Sequence, residues 1–357
     1  MEATGTQKIM LLVLLMAATT VLPAQTPDTT AAPEEDYSAY DAVTFAGEGT
    51  KRYCGPKILD LSPQKLITVG YEYHSQHQYQ VTAYDTYTPP PHTINHARGL
   101  RVAANVPIVS KNSLTIQLSF NYTNTIYSPS IVKHHPLLAA TLQGLSSTGL
   151  GTTVFKPWDE RHFALLQATI EENGNYMAPS FPQNLAPRTS AALLYGWKYH
   201  DRKMLALGLS RTYRGGQLAY VPVLLYNYTA PGRQWGLEAL LPARMHLRKT
   251  FNARHLLLAG YELEGQTYTL TNAVPNTPTI ALRRSELRMR LHYEQSLSGF
   301  IWLTLQAGLR YNVKFDYDTL SGSADFYRTG SSKQPYYATS RVTHPFYFQV
   351  GFHLVSP

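Results

Sequence analysis

Between Leu282 and Lys314 the chain reads LRRSELRMRLHYEQSLSGFIWLTLQAGLRYNVK, two long stretches alternating in step around Ser296-Leu297-Ser298-Gly299. A strand turns successive side chains to opposite faces, so Ile301, Leu303, Leu305, Ala307, Leu309, Tyr311 and Val313 share one face of the second stretch. Trp302, Thr304, Gln306, Gly308, Arg310 and Asn312 share the other. In the first stretch Leu287, Met289, Leu291 and Tyr293 oppose Glu286, Arg288, Arg290, His292 and Glu294. A soluble sheet also alternates, but seldom over strands this long with so many Tyr and so few charges on the apolar face. The pattern predicts a hairpin of a membrane β-barrel, with lipid outside and a polar interior.

Composition agrees. Of 357 residues only 15% are charged, 12% are aromatic and 26 are Tyr, which suits aromatic girdles at two interfaces and few outward charges. The N-terminus has the three parts of a secretory signal: a polar start ending at Lys8, an apolar core from Ile9 to Ala18, and small residues near Leu22-Pro23-Ala24, with cleavage expected after Ala24. No segment approaches the ~18 uninterrupted apolar residues of a membrane helix, so a membrane location requires strands. Cys54 is the only cysteine; it cannot form an internal disulfide, and Lys51-Arg52-Tyr53 before it does not resemble a lipid-attachment signal. The net charge of +8 is read as lumen and loop charge that also suits anionic lipid headgroups. Nucleic acid is not expected as a partner, because the basic runs Arg283-Arg284 and Arg248-Lys249 are short.

Residues 25–60, rich in Thr, Pro, Ala and Glu and without periodicity, are expected to form a flexible leader before a barrel over 61–357. Twelve strands are predicted, near 64–74, 97–108, 112–125, 162–171, 188–200, 203–213, 217–229, 234–246, 253–267, 282–296, 299–313 and 345–355. If the first starts in the periplasm, long connections should follow odd strands and short turns even ones. The segments 75–96, 126–161, 268–281 and 315–344 are long, and those at 109–111, 214–216 and 297–298 are short. The connection Glu172 to Pro187 breaks the rule, and Leu137 to Thr153 is where a further pair of strands would fit, giving fourteen. Leu114, Ile116, Leu118 and Phe120, then Leu205, Leu207 and Leu209, then Phe346, Phe348, Val350, Phe352 and Leu354 are assigned to lipid. Tyr195, Trp197, Tyr199, Tyr226, Tyr228 and Trp235 are assigned to the interfacial belts.

The run LRRSELRMRLHYEQSLSGFIWLTLQAGLRYN, the preceding WGLEALLP and LLLAGYELEGQTY, and the closing FYFQVGFHLVSP resemble an outer-membrane β-barrel family of Bacteroidota-type bacteria known only as a domain of unknown function. The resemblance covers roughly Leu66 to Pro357. It implies a barrel in the outer membrane and carries no catalytic residue and no substrate.

The charges of the interior are the candidates for chemistry. Glu262, Glu264, Glu286, Arg288, Arg290, His292, Glu294 and Arg310 are expected to line the lumen, with Glu238, Lys198 and Glu72 added from other strands. Buried carboxylates need water or partners, so interleaved acids and bases imply either a charged constriction selecting solutes or an ion-pair network packing a narrow interior. The thirteen His residues suggest no metal site: His74 and His77, three apart in a strand, point to opposite faces, and His92, His96, His134 and His135 fall in loops without carboxylate or thiol neighbours. Ser75-Gln76-His77, with Gln78 and Asp85, is the nearest pattern to a hydrolase site and has the wrong order for one. The sequence predicts no enzyme and no cofactor, but a single antiparallel up-and-down barrel in the outer membrane, acting as a passive pore or uptake channel for small solutes. The alternative is a closed structural or adhesion barrel whose long outer loops bind a partner or glycan. Expected partners are the lipid bilayer with its lipopolysaccharide and the barrel-assembly machinery.

Overall fold

The computed structural model describes residues 52–83, 90–130, 136–142, 144–177, 187–213, 218–274, 277–319 and 336–355. The expected signal, most of the expected leader, Asp85, His134, His135 and the expected turn at 214–216 lie outside them. The chain opens with β1 (Lys65–His74) and β2 (His77–Ala83), followed by β3 (His92–Lys111) and β4 (Leu114–Pro129). A short helix, α1 (Pro136–Leu142), precedes β5 (Leu145–Pro157), β6 (His162–Gly174), β7 (Arg188–His200), β8 (Lys203–Thr212) and β9 (Ala219–Thr229). Then come β10 (Trp235–Leu241), β11 (Arg244–Asn252), β12 (His255–Val274), β13 (Thr277–Ser298), β14 (Ile301–Thr319), β15 (Thr339–Val342) and β16 (Phe346–Val355).

From β2 to β14 neighbours in this order pair antiparallel, β14 pairs with β16, and β1 closes the sheet by pairing with both β3 and β16: Tyr71 lies opposite Leu100 on one side and Val350 on the other. β2 and β15 continue β1 and β16 beyond the ring and pair with each other. Leaving these two extensions aside, fourteen strands form one closed transmembrane β-barrel. The expected twelve fall short for two reasons. β5 occupies the interval where a missed strand would fit, and 234–246 is not one strand but the hairpin of β10 and β11 around Pro242-Ala243.

With fourteen strands the exception disappears. Turns at 112–113, 158–161, 201–202, 230–234, 253–254 and 299–300 share one end, where β1 begins and β16 finishes. At 299–300 Gly299 takes a left-handed φ of 47°, a conformation glycine adopts without steric cost. The connections 130–144, 175–187 and 320–338 are at the opposite end, so the chain after β6 belongs with the long loops. The short 214–216 segment, expected among the periplasmic turns, also connects strands at the long-loop end.

The alternation sorts residues as the opening hairpin suggested. Leu207, Leu209, Leu291 and Phe348 are exposed on the outer surface, with Val313 at 61% and Phe346 at 69%. Trp158, Tyr195, Tyr199, Trp235, Phe251 and Phe300 are exposed on the outside near the short-turn end, in the pattern of an interfacial belt. Strand lengths are uneven. β13 has 22 residues, about 70 Å at ~3.3 Å per residue. β10 has only seven, about 23 Å along the strand and short of the ~9–11 residues a tilted membrane strand takes. β12, β13 and β14 therefore rise past the lipid at the long-loop end. There they no longer alternate, and Ile280, Ala281 and Leu282 are all buried. Ile280 and Leu282 join Tyr268, Leu270 and Tyr317 in a core against Tyr79, Ile94 and the Leu137 and Ala140 side of α1.

Candidate functional site

The interior has two unlike walls. On β1, β3, β12, β13 and β14 the inward positions carry charge, and the ladder sets the charges side by side: Glu262 opposes Arg288 across β12 and β13, and Arg288 opposes Arg310 across β13 and β14. Glu72, 1% exposed, is the hub. It accepts from Arg288 Nη2 at 2.6 Å and Arg101 Nε at 3.2 Å, pairs with Arg310 Nη1, and lies 2.5 Å from His74 Nε2. Glu264 accepts from Arg101 Nη2 at 2.9 and 3.1 Å and from Arg288 Nη1 at 2.8 Å. Glu286 takes Arg310 Nε at 2.7 Å and Arg284 Nε at 2.6 Å. Arg288 also stacks over the Tyr347 ring, 4.5 Å from its centroid.

The predicted lumen residues divide into three groups. Glu262, Glu264, Arg288 and Arg290 border a cavity of about 440 Å³ in the middle of the barrel. Glu286 and Arg310 border a separate void of about 20 Å³ toward the long-loop end, room for about one water. His292 and Glu294 lie nearer the short turns, where Glu294 pairs with Lys65 at 2.5 Å and His292 Nε2 stands 2.7 Å from the same carboxylate. Of the added candidates, Glu72 belongs to the network. Glu238 accepts from Arg248 Nη1 at 2.7 Å and from Ser62 Oγ at 2.8 Å, and Lys198 Nζ donates to the Lys57 carbonyl at 3.0 Å.

The second wall, on β4, β6, β7 and β8, was not singled out by the sequence. It presents Asn121, Thr123, Gln167, Thr169, Ser190 and Ser210 to the cavity, with Glu171 as its one carboxylate. The cavity runs between this wall and the charged one and reaches the long-loop ends of β7 and β8 at Ser190, Thr212 and Tyr213. The only signal available in the sequence was the regular Ser, Thr, Asn or Gln at alternate positions, which says polar face but not lumen.

The short-turn mouth is filled by the chain itself. Residues 52–60, expected to be part of a flexible leader, lie against the turns instead. Cys54 N donates to the Asp159 carbonyl at 2.9 Å, and Leu59 N donates to that of Asp201 at 2.7 Å. Thr229 Oγ1 donates to the Leu59 carbonyl at 2.8 Å, and Arg233 grips Asp60 with two bonds of 2.7 and 2.8 Å. Cys54 and Ile58 are buried among Phe155, Phe163, Leu194 and Met204. Burial pushes the Cys54 thiol above its ordinary value. The hydrogen bond from Arg233, followed by its charge, holds the Asp60 carboxyl below its ordinary value.

Two expectations about histidine and serine are settled by one detail. β1 and β2 are separated by a break at Ser75-Gln76, which resets the alternation. His74 and His77 are therefore both buried and both border the small void, rather than pointing to opposite faces. No group of three or more His, Cys, Asp or Glu that could hold a metal occurs among the described residues. Ser75 Oγ accepts from Phe346 N at 3.0 Å, while His77 Nδ1 bonds the Ser75 carbonyl at 2.9 Å, so the pair is spent on the backbone. His96, expected in a loop, lies in β3 and stacks on Tyr73 at 5.8 Å.

No protein-family model matches the sequence, and no curated protein does. Among solved structures the chain is similar to the toluene transporter TodX of Pseudomonas putida, at 9% identity over 82% of this chain and 90% of that one, with a TM-score of 0.35. It is also similar to an outer membrane channel of Pseudomonas putida F1, at 12% identity over 85% and 98%, TM-score 0.36. OccAB4 of Acinetobacter baumannii matches at 8% over 82% and 98%, TM-score 0.26. At such scores the likeness is of one barrel to another and bears on neither solute nor gating.

Proposed function

We propose that this chain is an outer-membrane barrel that lets small solutes pass passively through the chamber between its two walls. The short turns face the periplasm, and the long connections face outside. The observation that carries this is the cavity of about 440 Å³, polar on both sides, inside a barrel whose outer face is apolar. A barrel with no passage would not need a wall rich in hydroxyls and amides opposite its ion pairs; apolar side chains would fill the same space without the cost of burying polar groups.

Passage requires residues 52–62 to leave the short-turn mouth. That segment makes no strand pairing with the barrel and is held by a few hydrogen bonds and one apolar patch, so it can move without breaking the sheet. Single-channel recording in planar bilayers tests the proposal. The full chain should show small or infrequent openings, and Ile58→Asp, which puts a charge into the apolar patch, should make them larger or more frequent. A protein that stays silent in both forms, and stays silent when Arg288, Arg290 and Arg310 are neutralised, would not be a channel.

A second reading is favoured by one observation: α1 packs into the core around Leu270 and Tyr317 at the long-loop end. In that reading the barrel is closed and its outer connections bind a partner or glycan. Deleting those connections would then abolish surface binding while the barrel remains folded.

A further inference from the structure

The two walls of the chamber differ in what they leave available to a solute, and from that difference we infer that the chamber is a binding site for a small uncharged polyhydroxylated molecule, of the size and chemistry of a monosaccharide. The inference rests on the channel reading and specifies what that channel accepts.

On the charged wall every guanidinium that the network holds is already in contact with a carboxylate. Glu72 and Glu264 hold Arg101, Arg288 and Arg310 between them, and Glu262 holds Arg290 at 2.9 Å. A carboxylate solute could reach a guanidinium only by displacing a carboxylate already in contact with it. An ammonium solute faces the same obstacle at the glutamates. Breaking one member out of such a pair strands the other in a poorly hydrated site, so a charged solute gains little on entering.

The opposite wall carries one charged group, Glu171, which has a partner of its own, and is otherwise built of hydroxyls and amides. Among the described residues, Asn121, Thr123, Gln167, Thr169, Ser190 and Ser210 border the cavity and make no side-chain hydrogen bond to another protein group. Hydroxyls and amides can each donate and accept, which is also the capacity of every hydroxyl on a sugar. The volume, about 440 Å³, lies within the ~300–1,000 Å³ of small-molecule sites. A polyol therefore finds donors and acceptors along β4, β6, β7 and β8, and need not separate an ion pair on the side facing it.

Equilibrium binding to the full chain in detergent micelles, followed by saturation-transfer NMR and titration calorimetry, tests this with three probes of one size: D-glucose, D-gluconate and D-glucosamine. Glucose should bind best. Gln167→Leu and Thr169→Val should each weaken it about fivefold, the loss of about one hydrogen bond. Gln167→Asn, which keeps the amide, should weaken it less. Folding of each variant is checked by the heat-dependent mobility of the barrel on gels. Tighter binding of gluconate or glucosamine, glucose binding indifferent to both wall substitutions, or no saturable binding of any probe overturns the inference. Equilibrium binding does not require passage, so a barrel that binds glucose yet never conducts would sink the channel and leave the site standing.

Discussion

β13 and β10 belong to the same closed sheet yet solve different problems. β13 has 22 residues; its middle inward positions are Glu286, Arg288, Arg290, His292 and Glu294, and its upper end leaves the lipid to build a core with α1. β10 has seven residues and one inward charge, Glu238, which is occupied by Arg248 and by Ser62 of the N-terminal segment. A strand that only crosses the membrane can leave its inner face to small hydroxyls, amides or apolar residues. A strand that faces a packed interior across the lumen must pair its charges. The three longest neighbouring strands, β12, β13 and β14, stand on the charged side of the chamber, and the ten-residue β8 stands on the other.

The comparison can be broken most severely at its hub. Glu72→Ala leaves Arg101, Arg288 and Arg310 short of a carboxylate, and losing one partner of a buried pair typically costs about 3–5 kcal/mol. Urea unfolding in lipid vesicles, read by tryptophan fluorescence, should show a loss of that order. An unfolding midpoint equal to that of the unsubstituted protein would mean the charged wall does not hold the barrel together.

At the short-turn end, Ile58→Ala removes part of the apolar patch, roughly 2–4 kcal/mol of the segment's seating if the site does not collapse. Cys54, the single thiol, is the reporter: its labelling by a maleimide should quicken by on the order of tenfold or more, while the unfolding midpoint of the barrel barely moves. If labelling speeds up only with global unfolding, the segment is part of the barrel and not a separate closure.

A smaller effect is expected from acid. A carboxyl whose value is lowered in the folded state stabilises that state above its ordinary 3.8 and loses the contribution as pH falls through the lowered value. Below pH 3.8 the Asp60 contact with Arg233 should weaken. Cys54 should then react faster with a pyridyl disulfide, which works in acid. Asp60→Asn should abolish that particular pH dependence.

The smallest effect is the counterpart of the first. Thr169→Val on the hydroxyl and amide wall should change stability by no more than about 0.5 kcal/mol in the same urea experiment. A loss matching Glu72→Ala would erase the distinction between the walls.

How much of this could be read in advance follows from the same contrast. The β13–β14 hairpin was legible residue by residue, because large apolar side chains outside and charges inside make a strong alternation. β5 was not: Leu145 to Pro157 reads LSSTGLGTTVFKP, where Ser, Thr and Gly stand on both faces and the amplitude is small. The β10–β11 hairpin was hidden because Leu240-Leu241 and Met245-His246 look continuous across Pro242, although a proline inside a run argues against one strand. The seating of residues 52–62 left no periodic signal at all, since it depends on turns contributed by β5 to β10. Which of the charged candidates border the chamber depends on strand register, which alternation alone does not give.

The closure of β1 against β16 bears on how the molecule is made. Tyr71 meets Val350 only after nearly the whole chain exists, so the seam joins its earliest and latest strands, the costliest kind of contact to form by chance encounter. Until Phe346–Val355 arrives, β1 and β14 are bare edges with unpaired backbone groups. A nascent or truncated chain lacking those ten residues is then not a slightly shorter barrel but an open sheet, ready to pair with a neighbour.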